Sequence, residues 1–325
     1  MLFKPTTYLK LFIVLFFFNA CTPKEKPSDK TEWINFEWSG DSIGNRYFDK
    51  TAMYIPFNIK GISSNFIAQF DLGSNGTIFY ENSFKAFLSK YPEIGKKLDT
   101  INSKITINNE QQGEFNNIEI YLDSFKINLE KVVYLKKFGE IISADSINSL
   151  TKKHIGTIGA DVVKDKILII DYPNKKIAIL DSLTQDRKAD YDFVNCRITN
   201  GRIKIPLTID NVTQWYMFDT GASLFAIVTD ENNWKNMCDE SHLDSIEISS
   251  WGESYTMTGA KINKDVFLGK TKLSESEAYK MPLDGYLEMF KQEEISGSTG
   301  NAYFLNNTIA IDFKNIKFGI LKTEK

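Results

Sequence analysis

Two short segments of this chain look like copies of one loop. Each places an aspartate and a glycine directly after an apolar run: residues 70–74 read FDLGS and residues 218–223 read FDTGAS. Asp71 and Asp219 are 148 residues apart, so each half of the chain supplies one acid. An internal duplication constrains the architecture strongly, because both copies must fold as similar units.

The duplication continues beyond the two loops. Residues 154–180 align without a gap on residues 295–321, and eight of these 27 positions are identical. Average composition would give on the order of one or two identities. The segments before the loops also agree, since residues 55–59 read IPFNI and residues 205–209 read IPLTI. Three blocks in the same order therefore indicate two related halves.

Short alternating and β-branched segments dominate both halves, and helical patterns are few. The predicted strands are residues 33–38, 52–59, 65–71, 103–107, 117–121, 131–134, 167–170, 176–180, 203–209, 214–219, 245–248, 266–268, 308–311 and 317–321. The predicted helices are residues 81–90, 230–237 and 283–290, with a further short turn at 161–164. Many short strands separated by turn residues predict a mostly β protein built from barrels or sandwiches.

The amino terminus has the features of a targeting segment. Lys4 and Lys10 precede an apolar run over residues 11–18, and Ala20-Cys21 follows. This order is typical of a secretory signal, and the run is too short for a stable membrane span. Cys21 after Ala20 resembles a bacterial lipoprotein box, which implies lipidation of Cys21. The alternative is an ordinary signal peptide with an incidental cysteine.

Length and composition suggest the domain organisation. A chain of 325 residues can hold two ordinary domains after its leader. We predict a lipoprotein signal peptide at 1–20, a flexible polar tether at 21–31, an N-terminal β-lobe at 32–188 and a C-terminal β-lobe at 189–325. Thr22 is not the aspartate that retains such lipoproteins at the inner membrane, so the predicted location is the outer membrane of a bacterial cell envelope, facing the periplasm or the surface.

The net charge of −3 argues against a nucleic-acid partner, which normally requires a basic face. The predicted protein is a monomer whose partners are a peptide or protein substrate and, through its lipid, a membrane. No metal-ligand spacing occurs, and we expect no cofactor. A Ser-His-Asp triad is also disfavoured, because His154 and His242 are the only histidines and no nucleophile-elbow motif accompanies them.

An Asp-x-Gly loop suits chemistry in which two carboxylates act on one water. The glycine permits a tight turn and close backbone approach, and the loop amides favour the ionised acid. A second carboxylate within hydrogen-bond range has the opposite effect, so the two acids share a proton and titrate as a unit. One acid then serves as a base toward water, while the protonated acid polarises the substrate carbonyl.

These halves resemble the aspartic peptidases of the pepsin and retropepsin type. In that family an Asp-Thr/Ser-Gly loop recurs once per lobe, and a later hydrophobic-Gly segment packs beneath each loop. Residues 219–221 match in full, and residues 157–159 (TIG) and 298–300 (STG) match the later element. The resemblance covers most of residues 50–321. It implies a bilobed acid-protease-like fold with two homologous β-barrel lobes and few short helices.

The resemblance also assigns roles to residues. Asp71 and Asp219 are the predicted catalytic acids. The predicted supporting residues are Gly73, Ser74, Thr220, Gly221 and Ser223, with the hydroxyls of both serines placed to hydrogen-bond the acids. Leu72 departs from the family, because it stands where a threonine hydroxyl would reach the opposite loop. The family's flap tyrosine has no clear counterpart either, Tyr121 being the one candidate.

Two functions follow from this pattern. The first is an aspartic endopeptidase that hydrolyses peptide bonds with a water shared by Asp71 and Asp219. The alternative, suggested by Leu72, is a weak or inactive peptidase-fold module that binds peptides or envelope proteins. Asp171 and Asp312 also align in the repeat, but their turn positions predict a structural role. Cys196 and Cys238 form either one disulfide or two separate buried thiols.

Overall fold

The computed structural model describes residues 31–107, 109–250 and 253–322. The predicted signal peptide at 1–20 and the lipidation site at Cys21 lie outside the described residues, as does all of the tether except Thr31. The described residues from Glu32 onward form one compact unit. No helix in the described ranges combines the length and the apolar character needed to cross a membrane.

The protein is mostly β, as the sequence predicts. The strands are β1 (Ile34–Asn35), β2 (Glu37–Ile43), β3 (Arg46–Ile59), β4 (Phe66–Phe70), β5 (Ile78–Tyr80), β6 (Leu98–Asp99), β7 (Thr106–Ile107), β8 (Glu110–Gln111), β9 (Gly113–Leu122), β10 (Phe125–Leu135), β11 (Lys153–Ile158), β12 (Ile167–Asp171), β13 (Lys176–Leu180), β14 (Tyr191–Asn195), β15 (Arg197–Thr199), β16 (Arg202–Ile209), β17 (Val212–Phe218), β18 (Ile227–Thr229), β19 (Cys238–Ser250), β20 (Glu253–Ile262), β21 (Val266–Leu268), β22 (Thr271–Lys272), β23 (Glu277–Lys280), β24 (Gly297–Thr299), β25 (Thr308–Asp312) and β26 (Lys317–Leu321).

The helices are short. They are α1 (Glu81–Lys90), α2 (Pro92–Gly95), α3 (Gln185–Ala189), α4 (Glu231–Met237) and α5 (Asp284–Gln292), with 3₁₀-helices at Ala144–Asn148, Ala160–Val163 and Asn301–Phe304. Asp230 caps α4, because its carboxylate accepts hydrogen bonds from the amides of Asn232 and Asn233. The predicted helix at 81–90 is confirmed with the same bounds, and the other two predicted helices are confirmed within two residues at each end.

Three large sheets organise the chain. The N-terminal sheet has the order β2-β3-β4-β11-β5-β10-β9-β6, and β3 pairs with β9 in addition. The C-terminal sheet has the order β19-β20-β23-β18-β24-β17-β16-β21-β22, and β15 pairs with β16. The shared sheet has the order β1-β13-β12-β25-β26-β14 and so takes strands from both halves. At its centre β12 and β25 are antiparallel, with Leu168 opposite Ile311.

The repeat seen in the sequence is also a repeat of structure. Strands β12 and β13 and the 3₁₀-helix Ala160–Val163 recur 141 residues later as β25, β26 and Asn301–Phe304. In the N-terminal sheet β11 lies parallel to β4 and antiparallel to β5, and in the C-terminal sheet β24 lies parallel to β17 and antiparallel to β18. The two halves therefore share this strand arrangement.

The glycines retained in both copies mark places where backbones cross. A Cβ atom on Gly156 would lie 2.0 Å from the carbonyl oxygen of Ile78, and one on Gly297 would lie 2.1 Å from that of Val228. Any side chain at either position would collide with the neighbouring strand, which explains why both copies keep glycine.

Aromatic side chains fill the interior of the N-terminal half. Phe84 and Phe87, on the buried face of α1, pack against rings from the sheet, with centroid distances of 5.0 Å for Phe79–Phe84 and 5.0 Å for Phe66–Phe87. Many of the phenylalanines in this half make such contacts. They stabilise the sheet in which β4 ends immediately before Asp71.

The sequence missed two long hairpins. Residues 33–38 do not form one strand, because β1 ends at Asn35 and β2 continues to Ile43 before turning into β3. Strands β19 and β20 extend well beyond the predicted segment 245–248. The predicted strand at 103–107 is reduced to β7, which pairs only with β8.

Candidate active site

The two aspartate loops follow equivalent strands and are fixed in equivalent ways. Strand β4 ends one residue before Asp71, and β17 ends one residue before Asp219. The amide of Asp71 donates to the carbonyl of Ile158 at 3.0 Å, and the amide of Asp219 donates to the carbonyl of Thr299 at 2.9 Å. Ile158 and Thr299 are matching positions of the repeat. Each acid is thus anchored by the later segment of its own half.

The loops face each other so closely that each carboxyl group lies against the glycine of the opposite loop. A Cβ atom on Gly73 would lie 2.5 Å from Cγ of Asp219, and one on Gly221 would lie 2.7 Å from Cγ of Asp71. No side chain fits at either position, so glycine is what allows the carboxyl groups of the two halves to meet.

The two carboxyl groups form one electrostatic unit. Burial raises the pKa of Asp71 well above its ordinary value, and the charge of Asp219 and a hydrogen bond with that carboxyl raise the pKa further. The amides of Ser74 and Gly73 oppose this shift, the Ser74 amide donating to Oδ1 of Asp71 at 3.0 Å. On the other side the Gly221 amide donates to Oδ1 of Asp219 at 2.7 Å. A hydrogen bond between two carboxyl groups needs a proton, which the two groups then share.

Thr220 joins the two loops through its side chain. Its hydroxyl donates to the carbonyl of Phe70 at 2.8 Å and accepts from the amide of Leu72 at 2.9 Å. The backbone on both sides of Asp71 is therefore held by a residue of the other half.

Leu72 cannot return this interaction, because it has no hydroxyl group. Its side chain is fully buried and belongs to the main hydrophobic core. The loop of Asp219 is held instead from within its own half. Asn301, which is fully buried, donates through Nδ2 to the carbonyl of Thr220 and to Oγ of Ser223, both at 2.9 Å. Tyr172 in turn donates to Oδ1 of Asn301 at 2.6 Å.

The predicted hydrogen bonds from serine hydroxyls to the acids are wrong. The Ser74 hydroxyl donates to the carbonyl of Gly76, and the Ser223 hydroxyl donates to that of Thr220, because both side chains complete their own tight turns. Ser74 supports Asp71 only through its backbone amide. Sequence reasoning did not single out Asn301, although it directly follows the repeated glycine Gly300.

A cleft of about 800 Å³ opens in front of the two acids. It is lined from both halves, and its walls combine polar and apolar groups. Met217, Phe225 and Met281 give the C-terminal wall an apolar surface, whereas the N-terminal wall carries Gln69 and Thr157. This volume falls in the range of pockets that bury most of a drug-sized ligand.

The N-terminal wall also carries a small aromatic cluster beside Asp71. The His154 ring lies 4.7 Å from the Tyr54 ring and 5.5 Å from the Tyr80 ring, measured between centroids. Burial lowers the pKa of His154, which favours the neutral imidazole. The Tyr80 hydroxyl shares a 2.5 Å hydrogen bond with Thr157. The cluster leaves His154 in the cleft as a neutral polar group at neutral pH.

Two hairpins from opposite halves reach over the cleft. The β2–β3 hairpin contributes Ile43, and the β19–β20 hairpin contributes Ile248 and Tyr255. Arg46 at the tip of the first hairpin forms an ion pair with Asp244 of the second, at 2.9 Å between Nη1 and Oδ2. The sequence did not reveal these two hairpins. Tyr121 lies elsewhere, its hydroxyl donating to Glu119 at 2.5 Å.

The two aspartates that align in the repeat, Asp171 and Asp312, do not line the cleft. Asp171 and Asp312 cap the turns after β12 and β25 by accepting hydrogen bonds from Asn174 and Asn315, which confirms their predicted structural role.

Of the two alternatives for Cys196 and Cys238, the structure shows two separate thiols and not a disulfide. Cys196 and Cys238 are both free, and burial raises the pKa of each to about 12. Neither thiol is therefore activated as a nucleophile. Within the described ranges, no group of three or more His, Cys, Asp or Glu side chains could hold a metal ion.

Comparison of the chain with known proteins does not assign it to a family, so the proposal for its function rests on the geometry of this site. Neither the protein-family models nor the curated protein sequences give a match to the chain.

Proposed function

We propose that the protein is an aspartic endopeptidase in which Asp71 and Asp219 share one proton and one water molecule. The observation that supports this most strongly is the meeting of the two carboxyl groups, each packed against the glycine of the opposite loop. Turn acids kept only to cap backbone amides would gain nothing from burial beside a second acid, since such burial destabilises the ionised forms.

The chemistry follows from the unequal states of the two acids. With one proton shared between them, the ionised carboxyl accepts a proton from the water as it attacks the peptide carbonyl. The protonated carboxyl donates to the carbonyl oxygen as negative charge develops there. The C–N bond then breaks as the carboxyl that accepted the proton from water passes it to the leaving nitrogen, which gives a carboxylic acid and an amine and returns the shared proton to the acid pair. Thr220, Gly73 and Gly221 keep the two groups in place for this transfer, and no covalent intermediate with the protein is formed.

The proposed fold is the bilobed acid-protease arrangement, with a β-barrel lobe at 32–188 and a second at 189–325. The matching strand order in the N-terminal and C-terminal sheets supports it, as does the shared sheet, which takes strands from both halves. We further propose that Cys21 carries lipid and that the peptidase is held at a bacterial outer membrane by residues 21–31. Its substrates are then peptides or proteins of the cell envelope.

The test uses the purified full-length chain with a mixed peptide library from mildly acidic to neutral pH. Asp71→Asn and Asp219→Asn should each reduce cleavage by at least about 100-fold, because each removes one partner of a shared acid–base pair. Asp192→Asn is the matched control, since its carboxylate is half exposed on β14. Cleavage that survives both active-site substitutions would contradict the proposal.

The buried Leu72 favours one other function, a peptidase-like module that binds peptides without cutting them. That function predicts an intact chain that cleaves nothing in the library but retains individual peptides in an equilibrium binding assay. It also predicts that binding survives Asp219→Asn.

A further inference from the structure

The two aspartate loops are not restrained equally across the interface between the halves. The Thr220 side chain holds the backbone on both sides of Asp71, whereas the Leu72 side chain has no hydroxyl with which to hold the loop of Asp219. A second side chain of the C-terminal half also reaches the first loop. Arg202, the first residue of β16, donates from Nε to the carbonyl oxygen of Gly73 at 2.6 Å.

The accepting carbonyl belongs to a peptide unit that contacts the reacting acids. The carbonyl of Gly73 and the amide of Ser74 form one planar group, and that amide donates to Oδ1 of Asp71 at 3.0 Å. The Cα of Gly73 packs against the carboxyl group of Asp219. A charged donor on the carbonyl polarises the whole unit and strengthens the hydrogen bond that its amide gives.

The orientation of Arg202 is itself fixed by buried charges. Nη1 of Arg202 lies 2.6 Å from Oε1 of Glu293, and Nζ of Lys204 lies 2.6 Å from Oε2 of the same carboxylate. Lys204 also donates to the carbonyl of Thr199 at 2.8 Å. The side chains of Lys204 and Glu293 are only 1% and 4% exposed.

Burying the charges of Lys204 and Glu293 beside the partly exposed Arg202 is a poor way to gain stability, because their desolvation offsets most of the attraction. It is an effective way to hold a guanidinium group in one orientation, since its planar fork can bond two acceptors at once. Here one acceptor is Glu293 and the other is the loop of Asp71.

We propose, on the basis of the function proposed above, that Arg202 is a positioning residue for Asp71. It acts through the Gly73–Ser74 peptide unit, and Glu293 and Lys204 hold it in place. Arg202 restrains the loop that carries Asp71 and favours the ionised form of that acid. It touches neither the water nor the substrate.

Several other titratable side chains lie around Asp71, and a pH experiment must distinguish their effects from that of Arg202. They are Asp219 on the opposite loop, Tyr80 on β5, Tyr54 on β3, His154 on β11 and Glu140 before β11. None of these side chains is altered by a substitution at Arg202. Arg202→Gln removes both the hydrogen bond to the Gly73 carbonyl and the guanidinium charge. Arg202→Lys keeps the charge, so the two variants together separate the effect of the Gly73–Ser74 unit from that of the charge.

The test compares Arg202→Gln with Arg197→Gln in the full-length chain. Arg197 lies on the neighbouring strand β15 and stacks on Trp215, 4.1 Å from the ring centroid, and serves as the matched control. Arg202→Gln should lower kcat roughly 10-fold or more with little change in KM, because positioning of the acid and not substrate affinity is lost. The acidic limb of the pH–rate profile should move to higher pH, whereas Arg197→Gln should leave both unchanged.

A second readout is independent of activity. Titration of ¹³C-labelled aspartate carboxyls by NMR reports the acid pair directly, and Arg202→Gln should shift the midpoint of this pair to higher pH. If the wild-type chain cleaves no peptide, the proposed function fails, and the NMR titration still decides the role of Arg202. A titration identical to that of Arg197→Gln would overturn the inference.

Arg202→Lys covers the case in which Arg202→Gln does not fold. Lysine keeps the charge but cannot bond Glu293 and the Gly73 carbonyl in the same fork geometry. We expect a shift in the same direction, smaller than that of Arg202→Gln. An unchanged midpoint in the folded lysine variant would equally overturn the inference.

Discussion

Asp71 is held in the folded protein in a way that favours its protonated form. Burial and the neighbouring Asp219 both raise its pKa, and the backbone amides of the loop reverse only part of that shift. Because the folded-state pKa lies above the unfolded one, the stabilisation from this proton is complete at low pH. It is lost as the pH rises through the folded-state pKa. The site therefore reduces stability at neutral pH, as expected where function and not stability selects a buried acid pair.

Replacing Asp71 with asparagine tests this balance. The asparagine side chain mimics the protonated acid in shape and charge, so Asp71→Asn should be more stable than the wild-type protein at neutral pH, by on the order of 1 kcal/mol. The difference should shrink toward zero as the pH falls to about 3, where Asp71 is protonated in both states. Urea denaturation at both pH values provides the measurement. Asp192→Asn, on the surface, should show no such gain, and a neutral-pH loss of stability in Asp71→Asn would contradict this expectation.

At the scale of elements, the sequence predicted the repeated parts well and the hairpins poorly. The helix at 81–90 and the strands of the shared sheet carry clear apolar periodicity, and the glycines at backbone crossings are shared by both copies. These features depend on local pattern and on duplication, which a single sequence reveals.

The β2–β3 hairpin gives no such signal. Residues 39–45 read SGDSIGN and are largely polar, so neither face alternates clearly. The hairpin is fixed by contacts with the other half of the chain, where Ile43 and Phe48 pack against a cluster that contains Met217 and Met257. Interactions between residues so far apart in sequence are not visible in local patterning. The same reason hid Arg202 and Asn301, whose importance lies entirely in what they meet in space.

The ion pair between the hairpins leads to a prediction about local opening. Arg46 is 44% exposed and Asp244 27% exposed, so their pairing contributes at most about 1 kcal/mol. Arg46→Ala should leave the global free energy of unfolding within that range, and it should speed amide exchange in β2 by roughly 3- to 5-fold. Hydrogen-exchange mass spectrometry measures both quantities.

Lys50 offers a control on the same hairpin. Among the described residues its ion-pair partner is the adjacent Asp49, at 2.6 Å, which lies on the same hairpin. Lys50→Ala should leave exchange in β2 unchanged. Equal exchange in the Arg46 and Lys50 variants would show that the ion pair does not restrain the hairpin.

At the scale of the whole molecule, the shared sheet is what makes two repeats into one protein. Its central strands β12 and β25 come from different halves, and the residues they pair are buried except for Thr308 at the end of β25. The acid pair depends on this union, because each half supplies one of the two aspartates of the site and one of the two glycines that face them. A chain whose halves opened independently would lose the site before it lost its folded sheets.

A pair of leucine substitutions tests whether the halves are stabilised together. Leu168 of β12 is fully buried opposite Ile311, whereas Leu321 of β26 is 37% exposed in the same sheet. Leu168→Ala should lower the free energy of unfolding by about 2–5 kcal/mol, and Leu321→Ala by less than about 1 kcal/mol. Because the sheet couples the halves, Leu168→Ala should speed exchange of the most protected amides in β16 and β17 as much as in β9. Faster exchange confined to the first half would mean that the halves unfold separately, and the shared sheet would then be a contact surface rather than a common core.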